Sequence, residues 1–127
     1  MQYDTFSSFR SKVSAELMAA TKARDKLTVG ALRVALGAID NASAVRRTES
    51  HLPVSGRSGE VTGRRVGRRD IERVILSEAQ ERAAAGIEYS RLGQTERADH
   101  LKAEATIIRA CLKHLRVDDD SNPPEAG

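Results

Sequence analysis

Tryptophan is absent from this chain, and tyrosine and phenylalanine occur twice each, so aromatic residues make up only 3% of it. Any core must therefore be filled by Leu, Ile, Val and Ala. Strands favour aromatic and β-branched residues, whereas Ala, Leu, Arg and Glu form helices well, so the composition points to helices. Cysteine occurs once, at Cys111, which excludes an intrachain disulfide and any metal cluster built from cysteine alone. No stretch approaches the roughly 18 consecutive apolar residues of a membrane span, and the first ten residues hold no apolar run of signal-peptide length. A cytoplasmic protein without membrane association is expected. Its 127 residues suit about one domain.

What is present is helical periodicity, in four segments. Phe6, Phe9, Val13, Leu17 and Ala20 recur at three- and four-residue steps, which predicts a helix from about Ser7 to Ala23, capped by Ser7 or Ser8. A second helix is expected after the cap residue Asp25, running to about Ala44. It carries a large stripe, Val29, Leu32, Leu36 and Ile39, beside a small one, Ala31, Ala35, Ala38 and Ala42, an arrangement that lets a neighbour approach closely. Gly30 and Gly37 each cost this helix about 1 kcal/mol relative to Ala, a cost that packing must offset. The short Arg24-Asp25 connection pairs the first two helices. A third helix is predicted from a cap at Asp70 to about Leu92, with Ile71, Val74, Ile75 and Ala79 inward, a weak stretch at Ala83–Gly86, and Gly93 as its terminator. Thr95 is expected to cap the fourth, whose Ala98, Leu101, Ala105, Ile108, Leu112 and Leu115 keep helical spacing without a fault. The fold class is thus all-α: a small bundle of four helices in two antiparallel hairpins, joined by a flexible basic linker.

That linker is read over residues 45–69, inside a helical domain spanning 1–117. It holds Pro53, four glycines and seven arginines (Arg46, Arg47, Arg57, Arg64, Arg65, Arg68 and Arg69) against two acids, a local charge of +5 in a chain of net charge +3. Residues 118–127 read as a disordered acidic tail.

The groups that could carry chemistry are few. His51, His100 and His114 show no metal-ligand spacing, apart from His100 beside Glu96 and Glu104, and read as solvated surface residues. His100 and His114 would lie about 21 Å apart along a helix, too far for one metal. Cys111 falls on the apolar flank of the fourth helix with His114 three residues on, but no third group or oxyanion site accompanies them. Glu78 falls near the apolar face of its helix and would need Arg82 or a cation from another helix. The linker glycines spell no phosphate loop. No metal and no cofactor are expected. The arginine-rich linker remains the strongest functional signal, because guanidinium groups pair bidentately with phosphate and a basic segment can order on RNA. Aromatic residues to stack unpaired bases are nearly lacking.

Three blocks resemble a known family. Lys22-Ala23-Arg24-Asp25-Lys26, with Ala31-Leu32-Arg33 and Leu36-Gly37-Ala38-Ile39, is similar to the opening of the YqeY-like proteins, related to the tail domain of the GatB amidotransferase subunit. Asp70-Ile71-Glu72-Arg73-Val74-Ile75 with Glu78 and Arg82 forms the second block. Ile87-Glu88-Tyr89, Leu92-Gly93, then Ala98, Lys102, Glu104 and Leu112 form the third. The resemblance covers about Phe9 to Leu115, and it makes Asp25, Leu32, Ile39, Asp70, Ile75, Glu78, Arg82 and Gly93 structural motif positions. It implies a domain of two packed helical hairpins. Family members continue through a Tyr-Leu-Pro-like junction into a small second helical domain; here that place reads His114-Leu115-Arg116 and the second domain is expected to be missing. The related tail is implicated in holding tRNA, and the family is associated with glutamine-dependent carbon–nitrogen ligase activity whose chemistry resides in other domains.

Two functions are therefore expected from different classes. One is an accessory module that binds tRNA or a ribonucleoprotein through the linker arginines with Lys22, Arg24, Lys26 and Arg33. The other is a protein-interaction domain with no nucleic-acid role, which docks on the exposed remainder of the alanine stripe or in the groove left by the missing second domain. Catalysis by Cys111 and His114 would be a third.

Overall fold

The computed structural model describes residues 4–50 and 66–115, with the side chains of residues 47–50 excepted. The described residues form four helices: α1 (Thr5–Lys22), α2 (Lys26–Ser50), α3 (Arg68–Arg91) and α4 (Thr95–Ala110). They pack as two antiparallel hairpins, α1–α2 and α3–α4, in an all-α bundle. The interior part of the predicted linker and the acidic tail, residues 51–65 and 116–127, lie outside the described residues.

The predicted stripes face inward. Phe9 and Val13 of α1, Leu32, Leu36 and Ile39 of α2, Ile71, Ile75 and Ala79 of α3, and Ile108 of α4 form one buried cluster. Ala31 and Ala35 are wholly buried in the same cluster. The small stripe thus serves close packing of α2 against its neighbours, and only Ala38 and Ala42 stay partly accessible. No polar or charged side chain is buried among the described residues. Burying the side chains of Leu, Ile, Val or Phe contributes about 1.5–3 kcal/mol each.

Several predicted boundaries move. α1 is capped by Asp4, whose Oδ1 accepts the Ser7 N–H at 2.7 Å, so Ser7 and Ser8 lie inside the helix. α2 continues past Ala44 to Ser50, and α3 begins at Arg68. Residues 45–50 and 68–69 are therefore helical, which corrects the linker bounds of 45–69. The physical reason is the absence of any glycine or proline between Ala44 and Pro53, which leaves nothing to stop α2 earlier. Asp70 is not the cap of α3: Gly67 holds that place, and Asp70, three residues on, accepts the Gly67 N–H at 3.0 Å. Gln94 rather than Thr95 precedes α4, with no side-chain cap bond. α4 stops at Ala110, and the chain tightens into turns closed by Cys111 N–H to Ile108 O and Leu115 N–H to Leu112 O. Leu115 still reaches the core.

The two hairpin connections share one backbone design. In the first, Asp25 N–H bonds to Ala20 O and Arg24 N–H to Thr21 O, with Arg24 at φ 58°. In the second, Gln94 N–H bonds to Tyr89 O and Gly93 N–H to Ser90 O, with Gly93 at φ 81°. Both are Schellman terminations that need a left-handed residue. The first hairpin puts an arginine there and follows it with a good cap, Asp25, which accepts the Thr28 N–H at 3.1 Å. The second has the favoured glycine followed by a poor cap.

The remaining glycines differ in purpose. A Cβ at Gly86 would sit 3.0 Å from Lys102 Cγ and 3.2 Å from Ala98 O, so this glycine lets α3 approach α4 inside a continuous helix. A Cβ at Gly37 would meet nothing within 4 Å, so packing does not offset its cost as expected. Gly37→Ala is predicted to stabilise the fold by about 0.5–1 kcal/mol, and Gly86→Ala to destabilise it by about 1 kcal/mol despite the better helix propensity. Arg24→Gly and Gln94→Asp should each add about 0.5–1 kcal/mol. Thermal denaturation of the four variants checks the signs.

Candidate functional site

Because the interior is apolar, the charged groups sit on the helix surfaces, where the structure divides them into cations that clip the fold together and cations left facing solvent. Arg46 of α2 donates to Asp70 of α3 at 3.0 Å, and Arg68 donates to the Leu115 carbonyl at 3.0 Å. Both are among the candidates for phosphate binding, and both hold helix ends together in this structure. Arg10 and Asp40 join α1 to α2 in a bidentate pair at 2.9 and 2.8 Å. Arg82 pairs with Glu78 at 2.6 Å and reaches Glu104 of α4 at 3.5 Å, so Glu78 has the cation its position requires. Sequence reading found Glu78 with Arg82 but missed Asp40, Arg10 and Glu16, whose partners lie on other helices.

Lys22, Arg24 and Lys26 form the other class. They occupy the end of α1, the left-handed turn and the start of α2, and all three are exposed. Arg33, two turns further along α2, is exposed as well, and so is Arg69 in the first turn of α3. Asp25 stands within the corner, but its carboxylate is committed to Thr28: the Thr28 hydroxyl donates at 2.7 Å. These hydrogen bonds hold it below the usual carboxylate range. The side chains of Arg47, Arg57, Arg64 and Arg65 lie outside the described residues.

His114 is not a solvated surface histidine. Its side chain is only 13% exposed, its Nε2 lies 3.2 Å from Glu16 Oε1 of α1, and its ring meets Phe9 edge-on at 6.3 Å. Lys113 Nζ reaches the second Glu16 oxygen at 2.9 Å. Burial alone would raise the Glu16 pKa, but the hydrogen bonds from Lys113 and His114 outweigh it and hold the carboxyl below its ordinary value. Cys111 is buried, directs its thiol to Ile107 O at 3.6 Å, and is pushed up to about 11 by burial and then by Glu16. Such a thiol stays protonated at neutral pH, the opposite of an activated nucleophile. His51 lies outside the described residues, and His100 is exposed beside Glu104 at 3.5 Å. No group of three or more His, Cys, Asp or Glu among the described residues is placed to hold a metal ion.

Two surface depressions stand out. A shallow one of about 310 Å³ between α2 and α3 includes Ala38, Ala42 and Val74, the accessible remainder of the alanine stripe. A larger groove of about 750 Å³ runs between α3 and α4. No helix among the described residues is long and apolar enough to cross a membrane.

No protein-family model, curated protein or solved structure matches the chain.

Glu16 sets a pH dependence. Its folded pKa is depressed, so its contribution to stability is complete above the ordinary value of 4.5 and is lost as pH falls through the folded value. Glu16→Gln is predicted to lower stability at neutral pH and to flatten the acid limb of a pH-dependent unfolding curve. A second expected outcome is that a thiol reagent modifies Cys111 at the rate of global unfolding, checked by comparing labelling with and without denaturant.

Proposed function

We propose that this chain is an accessory binding module of the YqeY-like type, which holds RNA, tRNA in the first instance, by its phosphate backbone. The resemblance of residues 22–39, 70–82 and 87–112 to that family supports the module, and the exposed corner at Lys22, Arg24, Lys26 and Arg33 supports the ligand. One observation carries most weight. Arg24 occupies a left-handed conformation, at φ 58°, that favours glycine, and the equivalent turn of the second hairpin has Gly93. A long cation at a position where the backbone favours glycine supports the reading that its charge is used. Guanidinium and ammonium groups on a projecting turn can each displace a counterion from a phosphate, and they need no aromatic platform to do so.

Binding supplies the function in this reading. The buried, protonated Cys111 and the paired His114 offer no activated nucleophile, so any glutamine-dependent amide transfer associated with the resemblance is carried out by a partner enzyme.

Binding to bulk tRNA is predicted to weaken steeply with salt. Replacing Lys22, Arg24, Lys26 and Arg33 by Gln should flatten the slope of log K against log salt by about 3, at roughly 0.7–0.9 for each phosphate that is no longer neutralised. Fluorescence anisotropy with labelled tRNA checks this. Absence of binding at low salt, or a slope unchanged in the fourfold variant, would remove the corner from the RNA interface.

A further inference from the structure

Apart from Lys113, which pairs with Glu16, the groove between α3 and α4 belongs to neither the arginine-bearing corner nor the ion pairs that clip the helices. Its floor is built from Leu76 of α3, Ala105 of α4 and Leu112 just beyond α4, and its lining is predominantly apolar. Along its rim stand Lys102, Arg109 and Lys113. Lys102 and Arg109 are seven residues apart on α4, so they share one side of that helix over about 10 Å, and Lys113 follows just beyond its end. Lys113 is held by Glu16, but Lys102 and Arg109 form no ion pair among the described residues, and both are exposed. None of the residues lining the groove is acidic. The volume, about 750 Å³, is that of a site able to take a short row of aliphatic side chains.

We infer that this groove is a docking site for an acidic amphipathic helix of a partner protein. Charge complementarity selects the sign of the partner: carboxylates on the flanks of the incoming helix meet Lys102 and Arg109. The apolar floor selects a protein helix over a nucleic-acid backbone. Phosphates held by the rim cations would leave the apolar surface of Leu76 and Leu112 without a matching apolar partner, and no aromatic ring lines the groove to stack a base. Two antiparallel helices make a straight-walled channel, into which a third helix can insert residues at i, i+3, i+4 and i+7. The chain then joins two ligands, RNA at the α1–α2 corner and a protein helix on the α3–α4 face. The inference stands on the groove alone and does not require the RNA.

The test is an NMR titration of the full, 15N-labelled chain. One probe is a synthetic four-turn helix with leucine at i, i+3, i+4 and i+7 and glutamate on both flanks; the others are oligoglutamate of equal length and bulk tRNA. The expected result is saturable movement of the Leu76, Ala105, Ala110 and Leu112 amide signals by about 1 mM leucine–glutamate peptide, with little effect of oligoglutamate. Lys102→Glu with Arg109→Glu should weaken that binding about tenfold. Ala110→Lys, at an exposed position in the groove, should weaken it too, although it adds positive charge, because it fills the floor. Each variant's thermal midpoint shows that it is folded. The inference is overturned if the peptide moves no groove signal, if oligoglutamate acts equally, or if tRNA alone moves these signals. It is overturned too if they shift with protein concentration, which would assign the groove to a second copy. Movement of the same signals in the full chain on Asp118→Asn, Asp119→Asn and Asp120→Asn together would give the groove to the chain's own tail.

Discussion

Close approach of α2 to its neighbours is the constraint on which the remaining packing depends. With Phe9 the single buried aromatic side chain among the described residues, the bundle cannot span wide gaps between helices with rings. Ala31 and Ala35 solve this by presenting only a methyl group on the buried side of α2, beside the larger Leu32, Leu36 and Ile39. The helix packs against each of the other three, whereas α1 meets α3 only slightly. Gly86 performs the corresponding task between α3 and α4. A core of this kind is filled by shape, and it leaves no place for a polar side chain, as the absence of any buried one among the described residues shows.

The same constraint explains where the charge goes. Thin helices packed closely leave seams along their edges, and ion pairs cover those seams: Arg10–Asp40 between α1 and α2, Arg46–Asp70 between α2 and α3, Arg82–Glu104 between α3 and α4, and Glu16 with Lys113 and His114 between α1 and the turn after α4. Partly exposed pairs contribute little stability each, so their value lies in setting which helix edges meet. A cation engaged in a seam is not open to a ligand. Among the described residues, the cations facing solvent include the α1–α2 corner, Arg69, and Lys102 and Arg109 on the rim of the α3–α4 groove, and the functional proposals draw on the corner and that rim.

Much of this was legible in the residues. The inward stripes of all four helices follow from three- and four-residue spacing, and Asp25 and Gly93 were recognisable from their types alone. Helix ends were less legible. Asp70 looks like a cap, yet its role three residues into α3 is to accept the Gly67 N–H, because cap and third-residue acids share the same local chemistry. Gly37 and Gly86 are alike in sequence and opposite in packing, a distinction that only the neighbouring helix makes. The seam ion pairs were illegible, since Glu16 and His114 are 98 residues apart and nothing local marks them as partners. For the same reason nothing local marks the pairing of Arg46 with Asp70 on α3.

Native-state hydrogen exchange tests the central position of α2 most directly. If the other helices depend on its close-packed face, the amides of Ala31, Leu32, Ala35 and Ile39 exchange only through global unfolding, with free energies at the maximum for the molecule. Residues 87–97, none of them buried, should then open first. Exchange of the α2 amides ahead of those in α3 and α4 would contradict the account, showing that the second hairpin holds its structure without α2.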